Sequence, residues 1–175
     1  MNMSKTQYQL KLYFKRFLRY LDYLKYFFKA EQIEKDMLTT MPSRQESVSS
    51  FLDMLDRTLH TYFQYKSDNI DFSKHPYTFY VEKTGDCDDF SAFALHVIRK
   101  VYPELESHLM IAFNAKEGHA ICVVKDKYGN YHHISNWGYI GAYGSLDDCA
   151  SGIFLDWTSW WKMSYNLSIE DYKQR

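Results

Sequence analysis

The chain has 175 residues, 46% of them hydrophobic and 18% aromatic, with only 3 Pro and 7 Gly. That is enough apolar material for one packed domain and too few turn-formers for extended disorder. A formal net charge of -1 gives no whole-chain attraction to nucleic acid, so no nucleic-acid partner is expected, and no run reaches the roughly 18 uncharged apolar residues of a membrane span.

The first third reads as helix. Leu10, Phe14, Phe17, Leu21, Leu24 and Phe28 recur at helical spacing, while Lys11, Lys15 and Arg19 lie four apart on another face. Up to Ala30, seven basic residues (Lys5, Lys11, Lys15, Arg16, Arg19, Lys25, Lys29) accompany a single acid, Asp22. The plain expectation is that the Leu/Phe stripe packs on the domain and the lysines stay in solvent. A helix resting on a membrane surface and a helix binding a partner are the other two options, and the sequence does not separate them. Pro42 breaks the chain, and Ser43 with Glu46 offers a capping box for a second helix. Its buried side would be Val48, Phe51, Leu52, Leu55, Leu59 and Phe63. Residues 66–76 read as loop, and residues 77–83 as a short helix with Pro76 near its start.

A third helix opens at Cys87, turns Phe90, Ala94, Val97, Ile98 and Val101 inward, and closes before Pro103. The texture then changes to strands at 108–115, 119–126 and 131–137, the last two joined by a hairpin over 127–130. Residues 145–155 read as a short helix capped by Ser145, and the aromatic stretch 157–172 as a closing strand. Helices first and an antiparallel sheet after them make the fold class α+β. A helical segment, 1–68, is expected to pack on or extend a core over 69–175, the two forming one structural domain.

Three cysteines, Cys87, Cys122 and Cys149, are odd in number and far apart, with no CxxC pair. No disulfide framework follows, and reduced thiols in a cytoplasmic setting are expected. Lys and Arg interrupt every N-terminal apolar run, so no signal peptide is read there.

The stretch TGDCDDF, Thr84 to Phe90, carries the chemistry. The first turn of a helix offers unpaired N–H groups and a partial positive charge, which favour thiolate at Cys87 and can hold an oxyanion. Gly85 allows a sharp entry, whereas Asp86, Asp88 and Asp89 oppose thiolate. A cation must outweigh them, and His119, opening a strand, is the natural candidate. A hairpin around residues 127–129 brings residue 119 level with 136 or 137. Asn136 and Ser135 are then both open as the group that orients the imidazole, with Asn136 the better acceptor and preferred. His132 and His133 lack a second ligand pair at metal spacing, so no zinc site is predicted.

GDCDDFSAFA followed by GHAICVVKDKYGNYHHISNWG resembles the transglutaminase-like superfamily, closest to the bacterial transglutaminase-like cysteine proteinases with their G-D-C-[ED]-D-F-[AS] motif. The resemblance covers about Pro76 to Gly138. It implies a papain-like core in which a Cys-bearing helix packs on an antiparallel sheet. It implies Cys87 as nucleophile, His119 as base and Asn136 at the position of the usual Asp, a departure that leaves the imidazolium less stabilised. Some members of the proteinase branch bind calcium through acids flanking the cysteine, which here are Asp86 and Asp88; no cofactor is otherwise required. The expected activity is hydrolysis of a peptide or isopeptide through a Cys-His-Asn triad, with transfer to an amine, or a non-peptide amide, next. The alternative is a catalytically inert transglutaminase-like module binding a protein partner.

Overall fold

Three amphipathic segments set the helical layer of the computed structural model, which describes residues 5–67, 73–165 and 169–175. Helix α1 runs Lys5–Leu24, a short 3-10 turn follows at Phe27–Lys29, and α2 runs Ala30–Thr40. The long helix read into the first third therefore breaks between Leu24 and Ala30. Helix α3 spans Val48–Tyr62, and its cap is Ser47, whose Oγ accepts from Ser50 N at 3.0 Å, rather than the expected Ser43. The middle of the loop expected over 66–76 lies outside the described residues. A two-residue strand β1, Gln64–Tyr65, pairs in parallel with β2, Thr84–Gly85, on either side of α4, Pro76–Glu82.

Helix α5, Cys87–Val101, begins at the expected residue because Asp86 caps it. The Asp86 and Asp89 side chains form a capping box, and the acids of the first turn and Arg99 and Lys100 of the last complement the helix dipole. The six-stranded sheet follows. Its strands are β3 (Glu106–Phe113), β4 (Gly118–Lys125), β5 (Tyr131–Ser135), β6 (Gly138–Tyr143), β7 (Ser159–Met163) and β8 (Ile169–Gln174). They are antiparallel in the order β6-β5-β4-β3-β7-β8. Helix α6, Leu146–Ile153, is capped by Ser145 as expected, its Oγ accepting from Asp148 N at 3.2 Å. The aromatic closing stretch holds two strands, β7 and β8, rather than one. Strand β6 is additional to the expected elements, since GYIGAY lacks a clean alternation.

Both faces of the sheet are covered, which is why β4 is buried along nearly its whole length. Phe51, Leu52, Leu55 and Leu59 of α3, Met37 of α2 and Phe90, Phe93 and Val97 of α5 share one core with Leu109, Cys122, Val124 and Ile134. Each such side chain contributes about 1.5–3 kcal/mol on burial. On the other face Met110, Ile121 and Val123 meet Cys149, Ala150, Phe154, Trp157 and Trp160 around α6. The helical segment before residue 68 thus supplies part of the main core.

Helix α1 docks the other way round from the expectation. Among its described side chains, Leu12, Lys15, Arg19 and Asp22 are buried, while Leu10, Tyr13, Phe14, Phe17, Tyr20, Leu21 and Leu24 are exposed. The buried side attaches through polar groups. Asp22 accepts from His75 N at 2.8 Å, Arg19 donates to Tyr165 O at 3.4 Å with its guanidinium over the Tyr165 ring, and Lys15 lies 3.7 Å from Asp88.

Candidate active site around Cys87

Cys87 is the first residue of α5, half-buried where that helix meets β4. The helix is tied to the strand one turn on, where Ser91 Oγ donates to Ala120 O at 2.9 Å and to Cys87 O at 2.7 Å. Gly85 is needed for space rather than for a left-handed turn, because a Cβ there would collide with the Asp89 side chain. The left-handed residue of this approach is Lys83, with φ 60°.

The acids around the cysteine are engaged. Asp89 is buried and accepts from Lys74 N at 2.6 Å and Asp86 N at 3.2 Å, with Lys74 Nζ 3.8 Å away. Asp86 accepts from Asp88 N at 3.2 Å. Carboxylate oxygens of Asp86, Asp88 and Asp89 lie within 4.8 Å of one another. As calcium ligands these three carboxylates would supply only part of a coordination shell. The ion takes six to eight oxygen ligands, whereas backbone N–H groups occupy Asp86 and Asp89, and lysine ammonium groups stand beside Asp88 and Asp89.

His119 approaches the same stretch of β4 from the adjoining position. Alternation along the strand sets Cys122 and Val124 toward α5 and Ile121 and Val123 toward α6, so His119 shares the α6 face. Its Nε2 lies 3.1 Å from Ser135 Oγ, and its ring stacks on Trp137 with centroids 3.6 Å apart. Trp137 in turn meets Phe154 of the α6 core. The β4–β5 ladder runs only from Cys122 to Lys125, and beyond it, at Ala120, α5 takes the edge of β4 through Ser91. Among the described hydrogen bonds, none joins Cys87 Sγ to His119.

Of the two residues left open as the orienting group, Ser135 stands against His119. Asn136 makes no described hydrogen bond to His119. Its backbone oxygen lies 3.2 Å from His60 Nε2, and its side-chain Oδ1 is buried without a hydrogen-bond partner among the described residues. The register explains the choice, since Cys122 pairs with Ile134 and the next residue of β5 on the His119 face is Ser135. Trp137 and the lysines facing the acids are not singled out by the sequence. The H-x17-W spacing is unremarkable in an aromatic-rich chain, and Lys15 and Lys74 are remote from the motif.

Burial dominates the electrostatics. It pushes the Cys87 thiol up to about 12, with Asp88 and Asp86 adding to the rise and the facing backbone of Ala120 opposing it. It pushes His119 down to about 4, and nearby His133 acts in the same direction. The resting pair is therefore a neutral thiol and a neutral imidazole. Cys122 and Cys149 are buried, and their thiols are raised for the same reason. His132 is held between Asp126 Oδ2 at 3.1 Å and the Tyr139 hydroxyl at 3.0 Å.

Beside the cysteine, Leu12 and Lys15 of α1 form a crevice with Asp88, Leu109, Ile111 and Ala120. Helix α1 thus borders Asp88, the residue after the cysteine.

No family model matches the chain, and no curated protein matches it. Among solved structures it is similar to a candidate cysteine protease from Cytophaga hutchinsonii, at TM-score 0.46 and 13% identity over 92% of this chain and 50% of that one. It is also similar to a TGase, at TM-score 0.39 and 15% identity over 81% of this chain and 35% of that one. The chain spans half or less of the length of these proteins.

Among the described residues, no helix is long and apolar enough to cross a membrane.

Proposed function

We propose thiol-dependent acyl transfer on an amide bond, with hydrolysis of a peptide or isopeptide first and transfer to an amine second. The observation that carries it is the meeting of Cys87, at a helix N-terminus, with the strand position next to a histidine held on Ser135. In this reading the Cys87 sulfur forms a bond to the amide carbon, and its proton passes to His119. The protonated imidazole then protonates the leaving amine as the C–N bond breaks, and water or an amine releases the thioester. Ser135 acts as a positioning residue that holds Nε2 and leaves Nδ1 for the proton. The N–H groups of the first turn of α5 supply donors to the developing oxyanion. The low basicity of the imidazole makes it a proton shuttle rather than the standing half of an ion pair.

A second reading is a transglutaminase-like module that binds a protein partner without catalysis. The neutral thiol and imidazole, with no described bond between them, favour it. A peptide carrying an electrophilic carbonyl mimic decides between the two. Acyl transfer requires adduct formation on Cys87 that slows by about 100-fold or more in His119→Ala and is unchanged in Asn136→Ala. Equal labelling of wild type and His119→Ala leaves only an incidental thiol and supports the inert module.

A further inference from the structure

We propose that the outward face of α1 rests on an anionic membrane surface, independently of any chemistry at Cys87. Leu10, Tyr13, Phe14, Phe17, Tyr20, Leu21 and Leu24 share one helical face, each three or four residues from another of the set, and all are 44% or more exposed. Phe27 and Phe28 continue the patch beyond the helix, at 50% and 96% exposure. Monomeric proteins rarely leave so continuous an aromatic and aliphatic face in water. The chemistry of the rim identifies what covers it. Exposed Lys11, Lys25 and Lys29 border one side of the stripe and half-buried Arg16 the other, while Asp22, the single acid of the segment, is turned inward and 3% exposed.

Lys25 is paired with Asp22 at 2.7 Å, and the outward charge that remains on this segment is basic. A second copy docked on this face would oppose like charges across the interface, whereas phosphoglyceride headgroups complement them. Tyr13 and Tyr20 lie at the border of the stripe, where an aromatic ring with a polar end suits the headgroup boundary. With no described helix able to cross a bilayer, α1 lies along the surface.

The test uses the full chain with sedimenting vesicles of phosphatidylcholine alone and of phosphatidylcholine mixed with phosphatidylserine. The expected result is binding to the anionic vesicles that weakens with added salt and is slight on the neutral ones. Phe14→Ser combined with Phe17→Ser should lower partitioning by about tenfold or more. Lys11→Glu combined with Lys29→Glu should lower it about tenfold on anionic vesicles only. Phe17→Trp leaves the fold untouched and should shift its emission to the blue when anionic vesicles are added, which keeps the question decidable if the double variant folds poorly. A wild type that stays in the supernatant, or a Phe17→Trp emission that does not move, overturns the proposal. So does a dimer that the serine pair converts to monomer without change in vesicle binding, which would make a second copy the cover.

Discussion

Helices α1 and α3 are both amphipathic with similar apolar stripes, yet they face opposite ways. Helix α3 buries Phe51, Leu52, Leu55 and Leu59 completely, whereas α1 exposes Phe14 and Phe17 and buries Lys15, Arg19 and Asp22. Periodicity tells which residues share a face but not what that face meets. Helix α3 meets a ready apolar partner in α5 and the sheet. Apart from the apolar seat of Leu12, the surface offered to α1 is polar, made of Asp88, the His75 backbone and Tyr165, and it is matched by cations and one carboxylate.

The largest expected contrast is in stability. Phe51→Ala or Leu55→Ala should cost about 3–5 kcal/mol, because each leaves a cavity in a core that cannot fully collapse. Phe14→Ala or Phe17→Ala should stay within about 0.5 kcal/mol, as surface truncations do. Urea unfolding of the four variants checks this, and a large loss at Phe17 would mean that the outward face of α1 is packed after all.

A second contrast is in pH response. The buried side of α3 presents no ionisable group, but α1 packs against His75, whose ring lies 4.7 Å from that of Tyr23. Burial, with Arg19 nearby, depresses His75 to about 3. A depressed histidine binds fewer protons folded than unfolded between its normal value near 6.5 and about 3, so stability rises with pH across that window. Docking of α1 should be intact above the ordinary histidine range and weaken progressively as pH falls toward 3. Hydrogen exchange at pH 7 and pH 4.5 should show α1 amides losing protection while α3 amides do not. A His75→Asn variant should flatten the difference; equal behaviour of the two helices would break the contrast.

How far the sequence anticipates the molecule follows from which signals are local. Capping and breaking are local, so the start of α5 at Cys87, the Ser145 cap and the strands of the central hairpin are legible in the residues themselves. The cap of α3 falls four residues beyond the expected one because SRQE and the following serines offer competing caps, and packing selects Ser47. Strand β6 escapes for want of alternation. At the candidate site Cys87 and His119 stand out by residue type. The choice between Ser135 and Asn136 rests on a one-residue register that only the β4–β5 pairing supplies. The direction of α1, its place beside Asp88 and the lysines facing the acids are tertiary facts with no local signature.

The smallest expected effect tests whether the polar side of α1 matters to the thiol. Lys15 Nζ stands 3.7 Å from Asp88, and the Asp88 charge is one of the influences that raise Cys87. Replacing the cation by an uncharged chain of similar length, Lys15→Met, leaves the Leu12 contact but lets Asp88 act on the sulfur undiminished. Asp88→Asn removes the same influence from the other end. Thiolate should become scarcer in the first variant and commoner in the second, each by about threefold, the scale of a partly screened pair worth under about 1 kcal/mol. Iodoacetamide alkylation of Cys87 across alkaline pH reads the change directly, because the thiolate is the reacting form. Opposite shifts in the two variants would tie α1 to the electrostatics of the site. Shifts in the same direction would mean that both substitutions act by loosening α1 from the crevice, and the helix would then be a cover over Cys87 rather than a source of charge beside it.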